Sequence, residues 1–325
     1  MIRELCVHDF VSGRLSIFLS PSPPVTCTPE LNAERLIDAL RPHRRVAVAF
    51  SGGIDSSVVA AAAQHASLDW VCAVTADSPS VPRWQVEIAK RVASEIGIPH
   101  RLIGTEETSR EDYRRNDSQR CFFCKETLYA ALERFCADEE AAGAEQAPTG
   151  SGRSSRFPVV MVSGTNADDL GDHRPGIEAG RRMLVRTPLA DLQLTKKDVR
   201  DLGAHFGLTN HQLPASPCLA SRIAYGVEVT LARLQRVEQA EDWLRSVGFS
   251  DCRVRLHPDE MARIEVPRAE LARLFELSSE LTPRFRDLGF QFVTMDLEGF
   301  QSGKMNRVVV PLQMPVTDRS KETVH

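Results

Sequence analysis

The chain has 325 residues, of which 42% are apolar and 26% charged, with a formal net charge of −4. That balance is typical of a globular protein long enough for two domains, and it excludes a broad basic face for nucleic acid. No apolar run approaches the roughly 20 residues that span a bilayer, and eight cysteines are too few for a disulfide scaffold at this length.

Residues 1–30 begin without a clean basic segment and carry only a short apolar patch, so they read as a weakly ordered extension rather than a signal peptide. A cytoplasmic location is expected. From 31 to 210, strand-like runs alternate with helical spacing. "RVAVAF" (45–50), "WVCAVTA" (70–76), "HRLIGT" (100–105) and "VVMVSGT" (159–165) are short apolar runs. "SVVAAAAQHA", "PRWQVEIAKRVASEIG" and "CKETLYAALERFCADEEAA" lie between them with helical periodicity. The alternation predicts an α/β class: a doubly wound, mostly parallel sheet with helices on both faces and ligands at the carboxyl ends of its strands.

The Gly-, Ser-, Ala- and Pro-rich stretch 143–156 reads as a surface loop insertion. "LTKKDVRDLGAHFG" (194–207) is one more amphipathic helix, with Lys196, Lys197 and Arg200 on an ordinary solvated surface. An irregular segment, 208–229, holds Pro214, Pro217 and Gly226. A helix, two strand-like runs ("CRVRLH" and "ARIEV"), a helical stretch through 267–288 and a last strand, "FQFVTMDL", follow it. These predict a smaller C-terminal α+β domain over 211–310 and a tail over 311–325.

The first strand runs straight into "SGGIDSS", which opens a helix. Gly52 and Gly53 let the backbone approach a phosphate, Ser51, Ser56 and Ser57 add hydroxyls, and the helix N-terminus adds free N–H groups. Asp55 makes sense as a Mg2+ ligand that neutralises phosphates. A Walker loop is ruled out because no Lys follows the glycines. Ser51, Gly52, Gly53, Asp55 and Ser56 match the Ser-Gly-Gly-x-Asp-Ser loop of the ATP-pyrophosphatase superfamily, whose members split ATP between its α- and β-phosphates and activate a substrate oxygen as an adenylate.

Cys121 and Cys124 form a C-x-x-C pair in "RCFFCKETLY" at a helix start, where the dipole favours thiolate. Cys218 sits in "PASPCLASRIAYG". Structural zinc lacks a fourth ligand nearby, and a redox pair lacks a thioredoxin-like setting. Three cysteines favour three irons of a four-iron cluster, leaving one iron open. Cys6, Cys27, Cys72, Cys136 and Cys252 read as small apolar residues or bystanders.

Three long segments sharpen the resemblance: "VTADSPSVPRWQVEIAKRVASEIGIPH", "SGTNADDLGDHRPGIEAGRRMLVRTPLADLQLTKKDVRDLG" and "PASPCLASRIAYGVEVT". From about 31 to about 310 the chain resembles the LarE family, sulfur transferases that help build the nickel-pincer nucleotide cofactor of lactate racemase. The resemblance implies adenylation of a carboxylate on a pyridinium dicarboxylate mononucleotide and its conversion to a thiocarboxylate. In one version the cysteine at Cys218 attacks the adenylate, gives up its sulfur and becomes dehydroalanine. In the other, Cys121, Cys124 and Cys218 hold a [4Fe-4S] cluster whose open iron presents sulfide. Having all three cysteines favours the second version, and the sacrificial use of Cys218 stays open. ATP, Mg2+, a sulfide donor protein and a homo-oligomeric state belong to the same expectation, with no nucleic-acid or membrane partner.

Other residues complete the expected site. Thr75, Ala76, Asp77 and Ser78 end the second strand and are placed beside adenine or ribose. Gly164, Asp168, Asp169 and Asp172 follow the fourth strand at the ligand edge, with Arg174 as an anion partner. Arg222, Arg253 and Arg255 are candidates for binding the substrate phosphate, the last two on one face of a strand. Glu241 and Glu265 are remote candidates for a metal. Three other readings are weighed: a transfer-RNA thiolase, which needs a basic face; a non-catalytic ATP-binding module; and an amide-forming synthetase, which needs a glutaminase.

Overall fold

The computed structural model describes residues 28–145, 157–171, 175–214 and 216–301. Its first part contains, in order, α1 (Pro29–Leu40), β1 (Arg45–Ala49), α2 (Ile54–His65), β2 (Trp70–Asp77), α3 (Arg83–Ile96) and β3 (His100–Gly104). The short α4 (Glu111–Arg114), the long α5 (Arg120–Glu145), β4 (Val160–Ser163), α6 (Pro175–Arg182), α7 (Pro188–Asp191) and α8 (Lys196–His205) follow. All four strands are parallel and lie in the order β3-β2-β1-β4.

Strand periodicity explains the layering. Val46 and Val48 of β1 enter a core with α1, α2, α3 and α8, whereas Ala47 between them enters the core formed with α5 and α6. Helices therefore cover both faces, as the alternation predicts. The strand order reverses direction at β1, with β2 on one side and β4 on the other. Ligand sites in such sheets lie outside the carboxyl ends at that switch point, and here the Ser51–Ser57 loop leaves β1 and Gly164 leaves β4.

The second part holds α9 (Leu231–Ser246), β5 (Arg253–His257), β6 (Met261–Glu265), α10 (Leu271–Glu276), α11 (Ser278–Asp287) and β7 (Phe292–Met295). Its sheet runs β5-β6-β7, antiparallel then parallel, and packs with the helices around Leu234, Val254, Leu256 and Phe285. Tyr113 comes from the first part yet belongs to this second core.

Backbone contacts stitch the two parts together at the segment that carries Cys218. Leu219 N donates to Ser80 O at 2.8 Å, and Val229 N donates to Arg114 O at 2.8 Å. Fully buried Asn116 adds a polar rivet, its Nδ2 donating to Ala224 O and Val227 O at 2.8 Å each.

Two boundaries differ from the sequence reading. Pro29 and Glu30, expected in the extension, form the first turn of α1, where Thr28 caps the helix and Pro at its first position needs no N–H partner. Residues 143–145, expected in the loop insertion, continue α5, which extends to Glu145. Residues 1–27, 146–156 and 311–325 lie outside the described residues. Among the described residues, no helix is long and apolar enough to cross a membrane.

Candidate active site

The loop after β1 is held by its own hydroxyls. Ser51 N donates to Ser56 Oγ at 3.2 Å, and Gly53 N donates to Ser51 Oγ at 3.3 Å. Ser56 Oγ and Ser57 Oγ donate to Gly53 O at 2.9 and 3.0 Å, and Asn210 Nδ2 ties Gly52 O and Ser57 Oγ at 2.7 and 2.9 Å. Gly52 sits at φ 71°, and a Cβ there would lie 2.7 Å from the Ala89 Cα of α3. Gly164 is required on the other side, since its Cβ would fall 2.6 Å from Ser56 N. Both glycines let backbones close around the first turn of α2, whose N-terminus is a ready anion site.

A cavity of about 540 Å³ opens from this loop. Its wall includes Ser51, Asp55, Ser56, Thr75, Ala76, Ser78, Gly164 and Asp169, together with Cys121, Cys124 and Cys218. The nucleotide loop, the Cys121–Cys124 pair and the distant Cys218 thus share one space. Thr75 also holds the strand ends together, its Oγ1 donating to Phe50 O at 2.8 Å.

Asp55 does not stand alone in the loop. Asn166 Nδ2 donates to Asp55 Oδ1 at 2.9 Å, and Lys196 Nζ bonds the other oxygen. Asp168 Oδ2 accepts from Lys196 N at 2.8 Å and so fixes the start of α8. Lys196 was expected on an ordinary helix surface; the structure instead puts its ammonium at the loop's carboxylate. The signal for this was weak, because a Lys-Lys pair at a helix N-terminus looks solvated until the tertiary fold brings α8 beside α2. Asp172 and Arg174 lie outside the described residues.

The cysteines differ from one another. Cys121 is exposed, while Cys124 and Cys218 are half-buried. Burial pushes the Cys124 thiol up to about 12, reinforced by Cys218 and Glu107. The thiolate expected from the helix dipole is therefore not favoured at Cys124, because desolvation outweighs the dipole. Burial likewise raises the thiols of Cys72 to about 11 and of Cys136 and Cys252 to about 12. Those three are core residues, and Cys6 and Cys27 lie outside the described residues.

The remaining candidates are not brought to the cavity. Arg222 Nε donates to Glu241 Oε1 at 3.0 Å with both side chains fully buried, and its Nη1 donates to Cys218 O at 3.0 Å. Arg255 Nη2 pairs with buried Glu265 at 2.9 Å. Arg253 lies over the Phe300 ring at 4.9 Å. Asp77 pairs with Arg83. Glu241 and Glu265, remote metal candidates, are the counter-ions of these arginines, and neither half of either pair was readable alone. Among the described residues, no three His, Cys, Asp or Glu side chains converge on a point that would hold a single metal ion.

Comparison with known proteins follows the same lines. The asparagine synthase family model matches residues 34–116, the span that carries the nucleotide loop. A pyridinium-3,5-bisthiocarboxylic acid mononucleotide synthase of Lactiplantibacillus plantarum is 32% identical over 280 residues, which is 86% of this chain and 95% of the relative. The chain belongs to the LarE family. An uncharacterised Synechocystis protein is 39% identical over 267 residues, covering 82% of this LarE chain and 93% of the relative. The tRNA-specific 2-thiouridylase of Anaplasma marginale is 33% identical, but over only 33% of each chain. The synthase likeness thus spans most of both chains, whereas the thiouridylase likeness spans a third of each.

Proposed function

We propose that this chain binds ATP at the Ser51–Ser57 loop, adenylates a carboxylate of pyridinium-3,5-biscarboxylic acid mononucleotide and converts it to a thiocarboxylate. The observation that carries the reading is the single cavity joining the nucleotide loop to Cys121, Cys124 and Cys218. An adenylate made at the loop then reacts without leaving a common enclosure, which limits its hydrolysis.

The residues divide the work. Loop N–H groups, the Ser51 and Ser56 hydroxyls and the N-terminus of α2 hold the departing pyrophosphate. A substrate carboxylate oxygen attacks the α-phosphorus as the bond to pyrophosphate breaks. Asp55 would hold Mg2+, which neutralises phosphate charge, and Lys196 then turns from Asp55 to a phosphate oxygen. Asp169 and Thr75 line the nucleotide path. Sulfur next attacks the carbonyl carbon, and AMP leaves with the former carboxylate oxygen.

The sulfur donor is the finer question. A cluster takes one thiolate on each of three irons. Cys121, Cys124 and Cys218, which line one cavity, are the residues that would hold it. When bound, the [4Fe-4S] group supplies an open iron for sulfide. Cys124 must lose its proton on ligation. This version implies a protein that delivers sulfide and the reducing cytoplasm, and the family likeness adds a homo-oligomeric enzyme to the proposal. The second version has Cys218 itself give up sulfur, and its favouring observation is the place of Cys218 on the cavity wall.

Anaerobic purification with iron and acid-labile sulfide assays, beside a Cys124→Ala variant, separates the two. About four irons per chain, lost in the variant, support the cluster. Iron-free protein whose Cys218 becomes dehydroalanine after reaction with ATP and substrate supports the sacrificial route.

A further inference from the structure

Arg120 opens α5 one residue before Cys121 and is only 5% exposed. Among the described residues its hydrogen bonds both leave from one nitrogen: Nη1 donates to Asn116 Oδ1 and to Ala220 O, the latter at 2.8 Å. The ring of Tyr225 lies 5.7 Å from the guanidinium carbon. No carboxylate pairs with it among the described residues, whereas buried Arg222 and Arg255 each have one and buried Arg45 bonds the carbonyls of Phe157 and Glu139 instead. Its Nε and Nη2 make no hydrogen bond there, and neither is a sealed, partnerless atom of the interior. The side chain lines the cavity, so that edge faces the space shared with the cysteines.

This arrangement is specific. The Nε/Nη2 edge of a guanidinium is the planar fork that grips a carboxylate through two parallel hydrogen bonds. A buried cation without an anion is costly, and Asn116, pinned by the Cys218-side backbone, fixes the fork so that it cannot swing out to solvent. The cavity carboxylates nearest in kind are engaged elsewhere: Glu107 accepts from Ser78 Oγ, and Asp55 is bonded to Asn166 and Lys196.

We propose that Arg120 is a carboxylate clamp that holds the substrate carboxylate not being activated, orienting the ring so that the other carboxylate meets the α-phosphorus. This inference rests on the substrate class given above. The reacting carboxylate is a poor candidate for the clamp because adenylation removes its charge. The guanidinium sits against the cysteine segment, since Nη1 is tied to Ala220 O, two residues from Cys218.

The test is calorimetric titration of the full-length protein with three ligands: ATP, pyridinium-3,5-biscarboxylic acid mononucleotide and nicotinic acid mononucleotide, which has one carboxylate. Wild type should bind the biscarboxylate at least tenfold more tightly than the monocarboxylate. Arg120→Gln should abolish that preference and leave ATP binding unchanged, and Arg120→Lys, which keeps charge without the fork, should retain only part of it. If Arg120→Gln does not fold, as a thermal melt will show, the Lys variant decides: undiminished preference overturns the clamp. Loss of ATP affinity with the preference intact overturns it too, and makes the bound anion a phosphate. Wild type that binds neither mononucleotide sinks the substrate reading and the clamp with it. Wild type that binds them while Arg120→Gln discriminates equally well sinks the clamp alone.

Discussion

Replacing Glu241 with Gln tests whether the Arg222–Glu241 pair is a strut beneath the cysteine segment. Glu241 is fully buried and accepts from Arg222 Nε at 3.0 Å, Arg222 Nη2 at 3.4 Å, Arg245 Nη2 at 2.9 Å and Val254 N at 3.1 Å. Gln keeps the volume but loses the charge, and it turns an NH2 toward one of these donors. Breaking one side of a buried ion pair costs about 3–5 kcal/mol, a large share of the roughly 5–15 kcal/mol by which a domain is stable. Arg222 also donates to Cys218 O at 3.0 Å, so the loss should loosen that segment as well. Urea denaturation at neutral pH should show an unchanged slope and a midpoint lowered by that free energy divided by the slope. A variant within about 1 kcal/mol of wild type would refute the strut, since an exposed or substrate-facing glutamate behaves that way.

Four further outcomes follow from the same geometry. Lys196→Ala should cut ATP-dependent pyrophosphate release at least tenfold, a loss of about 1.4 kcal/mol or more, while the melting temperature stays near wild type because the side chain is one-third exposed; unchanged release would return Lys196 to the helix surface. Gly164→Ala should cost about 1–3 kcal/mol by overpacking, because its Cβ would meet Ser56 N at 2.6 Å, and isothermal titration should show weaker ATP binding; a silent variant would mean the loop tolerates displacement. Burial lowers the pKa of His43, His100 and His257, chiefly by disfavouring the charged ring. Their neutral forms therefore stabilise the fold above the unfolded value of about 6.5, and this is lost as pH falls through their lower folded values. Denaturation at pH 7.5 and 5.5 should show the protein weaker at the lower pH, and greater stability there would contradict the sign. Iodoacetamide followed by peptide mass spectrometry should label exposed Cys121 in native protein but spare Cys72, Cys136 and Cys252, whose buried thiols are raised to about 11 or 12; early labelling of Cys136 would refute the packing around α5.

The sheet was legible because β1 to β4 are short runs set off by turn residues, and β1 and β2 are largely buried as their apolar content requires, while β3, at the sheet edge, stays exposed. The loop was legible because Ser51, Gly52, Gly53 and Asp55 fall within one short uninterrupted stretch of the chain. What the sequence hid depends on pairs distant along the chain. Arg222 and Glu241 look like a substrate arginine and a metal carboxylate when read singly; only the packing of α9 against the Leu219–Arg222 turn makes them partners. Lys196 and Asp55 are 141 positions apart, and no spacing rule links them. Helix position suggested an acidic thiol at Cys124, but its burial by the second core was not visible in the local sequence.

The most direct test of the account uses substrate whose carboxylates carry heavy oxygen, incubated with ATP, Mg2+ and a sulfide source under anaerobic conditions. Mass spectrometry of the nucleotide products should find one heavy oxygen in AMP, none in pyrophosphate, and sulfur in the recovered mononucleotide. AMP without label, or ATP cleaved to ADP, would contradict an adenylate and with it the proposed reaction.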